Sequence, residues 1–336
     1  MGARRPGAGR RRHRWQGVSL ILPCLLAAGG VCAETNADVM TWLLKIQHAA
    51  QSVNYTGLLV YQQGQQIQTS RITHAADAGG EHERLEMLDG SPKEFIRNND
   101  EVKCYIPDTK TVIVEKRGAV RTFPGLLTAQ VGSLAQFYTM RLGPNDRVAE
   151  FPCRLILLEP KDDLRFGHRL CAEAGSGLLL RAQTLSQRGE VIEQIAFTQV
   201  NIGAPIARKA LKSSYASVGT RWRIENAAAA PADLTRSGWV VNKLPAGFVK
   251  VMELSRTLPG QTEAVGHMVL SDGFASISVF IEPPRRTAAP PESRLSTQGA
   301  INVYSRQVGG YTVTVLGEAP ADSVVTIGNA IEFQKP

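Results

Sequence analysis

Two tight turns inside one stretch, Arg165 to Val200, leave this chain few ways to fold there. Ala174-Gly175-Ser176-Gly177 and Gln187-Arg188-Gly189-Glu190 interrupt runs of about eight residues rich in β-branched and apolar side chains. That is the pattern of a three-stranded antiparallel meander whose turns set the register. The first run follows the polar loop Glu159-Pro160-Lys161-Asp162-Asp163 and the strand-like Arg154 to Leu158, so a fourth strand pairs on the far side. The expectation is an extended antiparallel sheet carrying no motif for bond chemistry.

The chain begins with a segment of a different kind. Met1 to Arg14 holds six arginines and no acid, and the apolar run Val18 to Ala28 and Val31-Cys32-Ala33 follow. A basic region, a short apolar region and small residues at the exit describe a secretory signal peptide, residues 1–33, cleaved after Ala33. A membrane anchor would need about 20 apolar residues, a length reached here only by counting Gly29 and Gly30. Pro23 and Val31 precede Cys24 and Cys32 where a lipoprotein signal wants a small residue. Removing six arginines takes the formal charge from +8 to +2, which withdraws the main support for nucleic-acid binding. What remains is an exported, periplasmic chain of about 300 residues, room for two domains.

Asp38 to Ser52 spaces Val39, Leu43, Ile46, Ala50 and Val53 as one apolar helical stripe. Strands are expected at Tyr55 to Tyr61, Gln65 to His74, Glu83 to Leu88, Glu94 to Arg97, Glu101 to Ile106 and Thr111 to Glu115, separated by turn chemistry such as Asp89-Gly90-Ser91-Pro92. Leu126 to Met140 reads as helical, and Phe151 re-enters strand. Residues 34–206 thus predict a large antiparallel sheet curled around its helices. From 207 to 237 the composition turns to Ala, Ser, Lys, Arg and Pro, a linker or interdomain strap. Residues 238–336 form a smaller unit, with strands at Trp239 to Val241, Phe248 to Leu254, Ala264 to Leu270, Ala275 to Glu282, Ile301 to Arg306 and Tyr311 to Leu316. A helix from Pro320 to Ala330 closes it, and Pro283 to Gln298 reads as a mobile loop. The fold class is α+β.

Chemistry is hard to find. His13, His48, His74, His82, His168 and His267 form no i, i+4 pair and sit beside no ligand set, so no zinc site is expected. There is no phosphate-cradling glycine loop and no nucleophile elbow; Gly175 and Gly177 lie in a hairpin turn, with Leu180 where a third glycine belongs. No catalytic, metal or cofactor residue is assigned, and the chain is read as a binding protein rather than an enzyme. Three cysteines outlast the leader: Cys104, Cys153 and Cys171. Around a hairpin centred on Asp162, Cys153 and Cys171 stand directly opposed, which leaves a disulfide or two buried thiols as outcomes. Tyr55, Leu59, Tyr61, Leu85, Met87, Phe95 and Tyr105 could be gathered by a curved sheet into an apolar pocket for an acyl chain; the alternative is that the helix fills that concavity as core.

Several sequence blocks resemble one family. They are Asn54-Tyr55-Thr56-Gly57 with Val60-Tyr61 and Gly64; Arg165-Phe166-Gly167-His168-Arg169-Leu170 with Ser176-Gly177-Leu178 and Arg181; and Glu193-Gln194 with Phe197. The second unit adds Trp239, Leu244-Pro245-Ala246-Gly247-Phe248, His267, Ser271-Asp272-Gly273-Phe274-Ala275-Ser276, Val279-Phe280, Gly299-Ala300 and Val313 to Glu318. In order and spacing these resemble the MucB/RseB regulators of the envelope-stress sigma factor. Cys171, where members often carry an aromatic residue, and Leu179, in place of a proline, depart from the pattern. The resemblance implies an unclosed barrel with internal helices, similar to the lipoprotein carriers LolA and LppX, joined to a smaller α+β domain. It also implies a partner: the periplasmic domain of a membrane-spanning, RseA/MucA-like anti-sigma factor, shielded from its first regulatory protease. Lipopolysaccharide or lipoprotein acyl chains are expected as releasing ligands, with nucleic acid excluded and self-association left open. The competing reading is a periplasmic lipid or lipoprotein carrier, against which the second domain argues.

Overall fold

In the computed structural model the described residues are 36–116, 123–127, 131–216, 221–227, 229–258, 263–284 and 293–334. The leader read at 1–33 lies outside them. Helix α1 (Asn36–Ser52) buries Val39, Leu43, Ile46, Ala49 and Ala50, so the expected stripe does face a sheet. Asp38 in its first turn meets the positive end of the helix dipole. Val39, Leu43 and Ile46, fully buried, contribute about 2 kcal/mol of transfer free energy each.

The protein is mostly β. A first meander contains β1 (Tyr55–Gln63), β2 (Gln66–Asp77), β3 (Gly80–Met87), β4 (Glu94–Asn98), β5 (Glu101–Ile106) and β6 (Thr111–Lys116). After the short α2 (Leu134–Phe137), a second contains β7 (Tyr138–Val148), β8 (Phe151–Pro160), β9 (Gly167–Glu173), β10 (Leu179–Leu185) and β11 (Val191–Ile202). Antiparallel pairing of β1 with β11 joins the two. With β12 (Arg223–Asn226) parallel to β6, one 12-stranded sheet results, in the order β12-β6-β5-β4-β3-β2-β1-β11-β10-β9-β8-β7. Gly57 leaves no room for a side chain between β1 and β11: a Cβ there would lie 2.4 Å from the Gln199 carbonyl oxygen and 2.8 Å from the Phe197 ring.

The second unit has seven strands in the order β13-β15-β16-β17-β20-β19-β18, plus the pair β14-β21. These are β13 (Ala229–Pro231), β14 (Trp239–Val241), β15 (Val249–Thr257), β16 (Ala264–Ser271), β17 (Ser276–Glu282), β18 (Arg294–Gln298), β19 (Ile301–Val308), β20 (Tyr311–Gly317) and β21 (Ile331–Phe333). Helix α3 (Ala321–Ala330) packs Val324 and Ile327 into a core with Met268, Leu270, Ile277, Val279, Val313 and Val315. Alternation along β17 and β20 turns Ser276, Ser278 and Leu316 to the other face. Both sheets belong to one compact unit, Glu34–Pro336.

Three expectations change. Leu126 to Met140 is not one helix: within its described part only Leu134–Phe137 is α-helical, and Tyr138 starts an 11-residue strand. Pairing from Tyr138↔Pro160 onward outweighs the local periodicity. The stretch expected to be loop up to Gln298 contains β18, paired to β19; residues 285–292 lie outside the described ones. The strap is partly ordered by pairing, β12 joining the large sheet and β13 the small one. Glu94, only 1% exposed, holds it, accepting from the Ser214 amide (3.0 Å) and hydroxyl (2.6 Å) and from Arg84 (2.6 Å). Those partners hold its carboxyl below the usual range against the opposing effect of burial.

Candidate functional site: the interdomain junction

The loop before β9 delivers Arg165 to the boundary between the two units. Its side chain is fully buried. Its Nε donates to Asp272 Oδ2 at 2.8 Å, and its guanidinium also bonds Asp162 and the Ala246 carbonyl while lying over the Phe137 and Phe248 rings, at 4.6 and 5.1 Å. Asp272 is equally buried and uses its other oxygen to accept the Phe274 and Ala275 amides at 3.0 and 2.8 Å, fixing its own turn. Tyr138 adds its hydroxyl at 3.2 Å from Oδ2; burial and the Asp272 charge push that phenol well above its usual range. A buried charge is tolerable only when paired and hydrogen-bonded, and this pair has no unmet carboxylate oxygen. Gly247, at φ +88, is required beside it, because a Cβ would come within 2.6 Å of Phe137 and 2.7 Å of Arg165. Ser323, in the first turn of α3, donates to the Leu164 carbonyl at 2.6 Å.

Next to this hub the His168 ring lies on Phe274, with centroids 4.0 Å apart, and burial lowers its pKa to about 3, so it is neutral. Two further links join the units: Gln63 Nε2 donates to the Gln298 carbonyl at 3.1 Å, and Arg256 pairs with Glu115. Between the links lies a cavity of about 490 Å³. The large sheet contributes Tyr61, His168, Ala182, Thr184, Glu193 and Ile195; Ser276, Ser278, Leu316 and Glu318 come from the small unit. Strand register places His168, Thr184, Glu193 and Gln63 in one lateral row across β9, β10, β11 and β1.

Strand register places six of the seven acyl-pocket candidates on one face of the large sheet and Tyr105 on the other. Tyr55 and Leu59, 1% and 3% exposed, are filled core: Tyr55 stacks on His74 and meets the Phe197 ring edge-on. Leu85 packs on the same core. Tyr61 instead lines the interdomain cavity. Phe95 opposes Leu85 and shares its face, and Met87 opposes Ser70, whose hydroxyl contacts its sulfur at 3.4 Å. Tyr105 faces away from Phe95, since its cross-strand neighbour is Glu94, and its ring meets Trp222 of the strap. Directly opposed residues share a face and sequence neighbours do not.

Cys153 and Cys171 are joined by a disulfide with Cα atoms 5.4 Å apart. They are not directly opposed as expected: Cys153 faces Glu173 and Cys171 faces Leu155, so the hairpin is centred on Asp163 and the bond runs diagonally. Among the described residues, no group of three His, Cys, Asp or Glu could hold a metal, and no helix is long and apolar enough to cross a membrane.

The two blocks that meet at Arg165 and Asp272 fall in adjoining family matches. The MucB/RseB N-terminal domain matches residues 38–215 and the MucB/RseB C-terminal domain residues 233–332. The chain belongs to the MucB/RseB family. The sigma factor AlgU regulatory protein MucB of Pseudomonas aeruginosa is 30% identical over 327 residues, 95% of this chain and 97% of that one. The sigma-E factor regulatory protein RseB of Escherichia coli is 23% identical over 323 residues, 96% and 98% of the two chains. The solved complex of P. aeruginosa MucA and MucB superposes with a TM-score of 0.70 at 25% identity, over 89% of this chain and 100% of that one. Within the MucB/RseB pattern, Arg165, His168, Ala246 to Phe248 and Ser271 to Ser276 stand together as the interdomain contact. The sequence carried those blocks but no sign that they touch.

Proposed function

We propose that this chain is a periplasmic negative regulator that binds the periplasmic segment of a membrane-spanning, MucA/RseA-like anti-sigma factor and shields it from regulated proteolysis. One observation carries this reading: both family domains match in order, and the whole-length likeness is to a MucB solved bound to MucA. Residues 1–33 are read as a cleaved leader, 34–206 as an open half-barrel of LolA/LppX type, 207–237 as a strap and 238–336 as the small domain. A lipid or lipoprotein acyl chain is the proposed releasing ligand, and Tyr61, Leu85, Met87 and Phe95 remain its candidate contacts; Tyr55, Leu59 and Tyr105 do not. Calorimetric titration of the mature chain with the periplasmic segment of the anti-sigma factor encoded in the same genome should give saturable binding. A chain that binds acyl ligands but not this segment would be a carrier instead.

A further inference from the structure

The positive charge of the mature chain is concentrated in the strap. Between Glu193 and Glu225 there is no acid, while Arg208, Lys209, Lys212, Arg221 and Arg223 are basic. Five bases out of a net +2 leave the rest of the mature chain at −3. The fold lays this run against one face of the large sheet. Arg208–Leu211 form a 3₁₀ turn beside β2 and β3, Ser214 is fastened to Glu94, and the Trp222 ring meets Tyr105 and Tyr215. The Arg223 amide donates to the Lys110 carbonyl at 2.9 Å, where β12 joins β6. Strand register puts Arg71, Glu86, Glu94, Tyr105, Val112 and Ile224 in one lateral row on this outer face. The small unit meets the opposite face, through Glu115 and the cavity residues Tyr61 and Ile195.

The outer face therefore presents bases that its own acids do not neutralise. Arg208 touches Asp77 at 3.3 Å yet is 87% exposed, and Lys209, Lys212 and Arg221 are exposed with no ion pair among the described residues. The acids beside them are matched: Glu86 by Arg71 and Arg84, Glu94 by Arg84, Glu101 by Lys103 and Glu225 by Arg223, with exposed Asp108 next to exposed Lys110. Ile224, at the end of the row, is 64% exposed. Bases strung along a strap, with no pocket between them, fit an extended anionic surface rather than one small anion. Each base close to an anionic bilayer strengthens binding about fivefold, and an exposed apolar residue among them enters the headgroup layer. We propose that the outer face of the large sheet, along the strap, docks on an anionic phospholipid bilayer. Arg208, Lys209, Lys212 and Arg221 meet the phosphates and Ile224 the headgroup layer, which turns the small unit and its cavity toward the aqueous side.

The test uses the mature chain, residues 34–336, because the six arginines of the leader would bind vesicles on their own. Sedimentation with vesicles of mixed phosphatidylglycerol and phosphatidylcholine should give binding at least about tenfold tighter than with phosphatidylcholine alone, and high salt should abolish the difference. Tryptophan emission should shift on the mixed vesicles, and Trp222→Phe should remove most of that shift. Lys209→Gln, Lys212→Gln and Arg221→Gln together should lose at least about tenfold in vesicle binding, with urea unfolding unchanged because all three side chains are exposed. Arg147→Gln, Arg188→Gln and Lys243→Gln together remove the same charge from exposed positions outside the strap and should bind close to the parent. Three results would overturn the proposal: no sedimentation with the mixed vesicles, equal losses in the two triple variants, or equal binding to the neutral vesicles, which is the mark of acyl uptake by the concave face. The vesicles hold no protein, so each result stands apart from whether the chain binds an anti-sigma segment.

Discussion

Replacing Asp272 with alanine strands a guanidinium in the interior. Arg165 and Asp272 are both fully buried, and the substitution leaves Arg165 with Asp162 and one backbone carbonyl, while the Phe274 and Ala275 amides and the Tyr138 hydroxyl lose their acceptor. Removing one partner of a buried ion pair costs about 3–5 kcal/mol, a large share of the ~5–15 kcal/mol that typically separates folded from unfolded protein. The surviving Asp162 contact places the expected loss near the lower end. Asp272→Asn, which keeps an oxygen for the turn amides, should lose less. Arg165→Met combined with Asp272→Leu removes both charges and should be more stable than Asp272→Ala alone. Urea unfolding followed by far-UV circular dichroism and tryptophan fluorescence reads all three; Trp239 lies in the small core. An Asp272→Ala chain within about 1 kcal/mol of the parent, or a double variant less stable than it, would refute the reasoning.

Four other outcomes follow. Peptide mapping without reductant should find Cys153 linked to Cys171 and Cys104 as a thiol, and reduction should cost roughly 3 kcal/mol of stability. Gly247→Ala should destabilise by more than about 2 kcal/mol in the same urea assay, because it adds a side chain at positive φ against Phe137 and Arg165. His168 is held neutral down to about 3 in the folded chain against about 6.5 unfolded, so its contribution is complete above 6.5 and is lost as pH falls between these values; His168→Gln should flatten that slope. Glu318 has the opposite sign: its folded value near 7 exceeds its unfolded 4.5, so stability is lost as pH rises between them, and thermal melts of Glu318→Gln should gain on the parent above neutral pH and match it below 4.5.

Local chemistry was legible where it acts locally. The α1 stripe, the turns at Gly177 and Gly189 and most hairpins follow from period and turn residues, and both glycines adopt positive φ. Leu126 to Met140 misled because Leu127, Val131 and Leu134 do repeat as on a helix and are buried, yet cross-strand pairing with β8 claims Tyr138 onward. One residue of error in the hairpin centre set Cys153 opposite the wrong neighbour, since loop length alone does not fix register. Arg165 was hidden by its setting. A charged residue after Lys161-Asp162-Asp163 reads as solvated loop, and its burial depends on Asp272, more than a hundred positions away. Glu193 and Glu318 were likewise visible only as parts of separate blocks.

The central claim, that the chain shields an anti-sigma segment, is tested most directly by the rate at which the first regulatory protease cleaves that segment as the mature chain is added. Cleavage should slow in proportion to the fraction bound, and an acyl ligand that weakens binding should restore it, with typical coupling of about 1–3 kcal/mol, or roughly 5- to 150-fold in affinity. Saturating binding with the cleavage rate unchanged would contradict it.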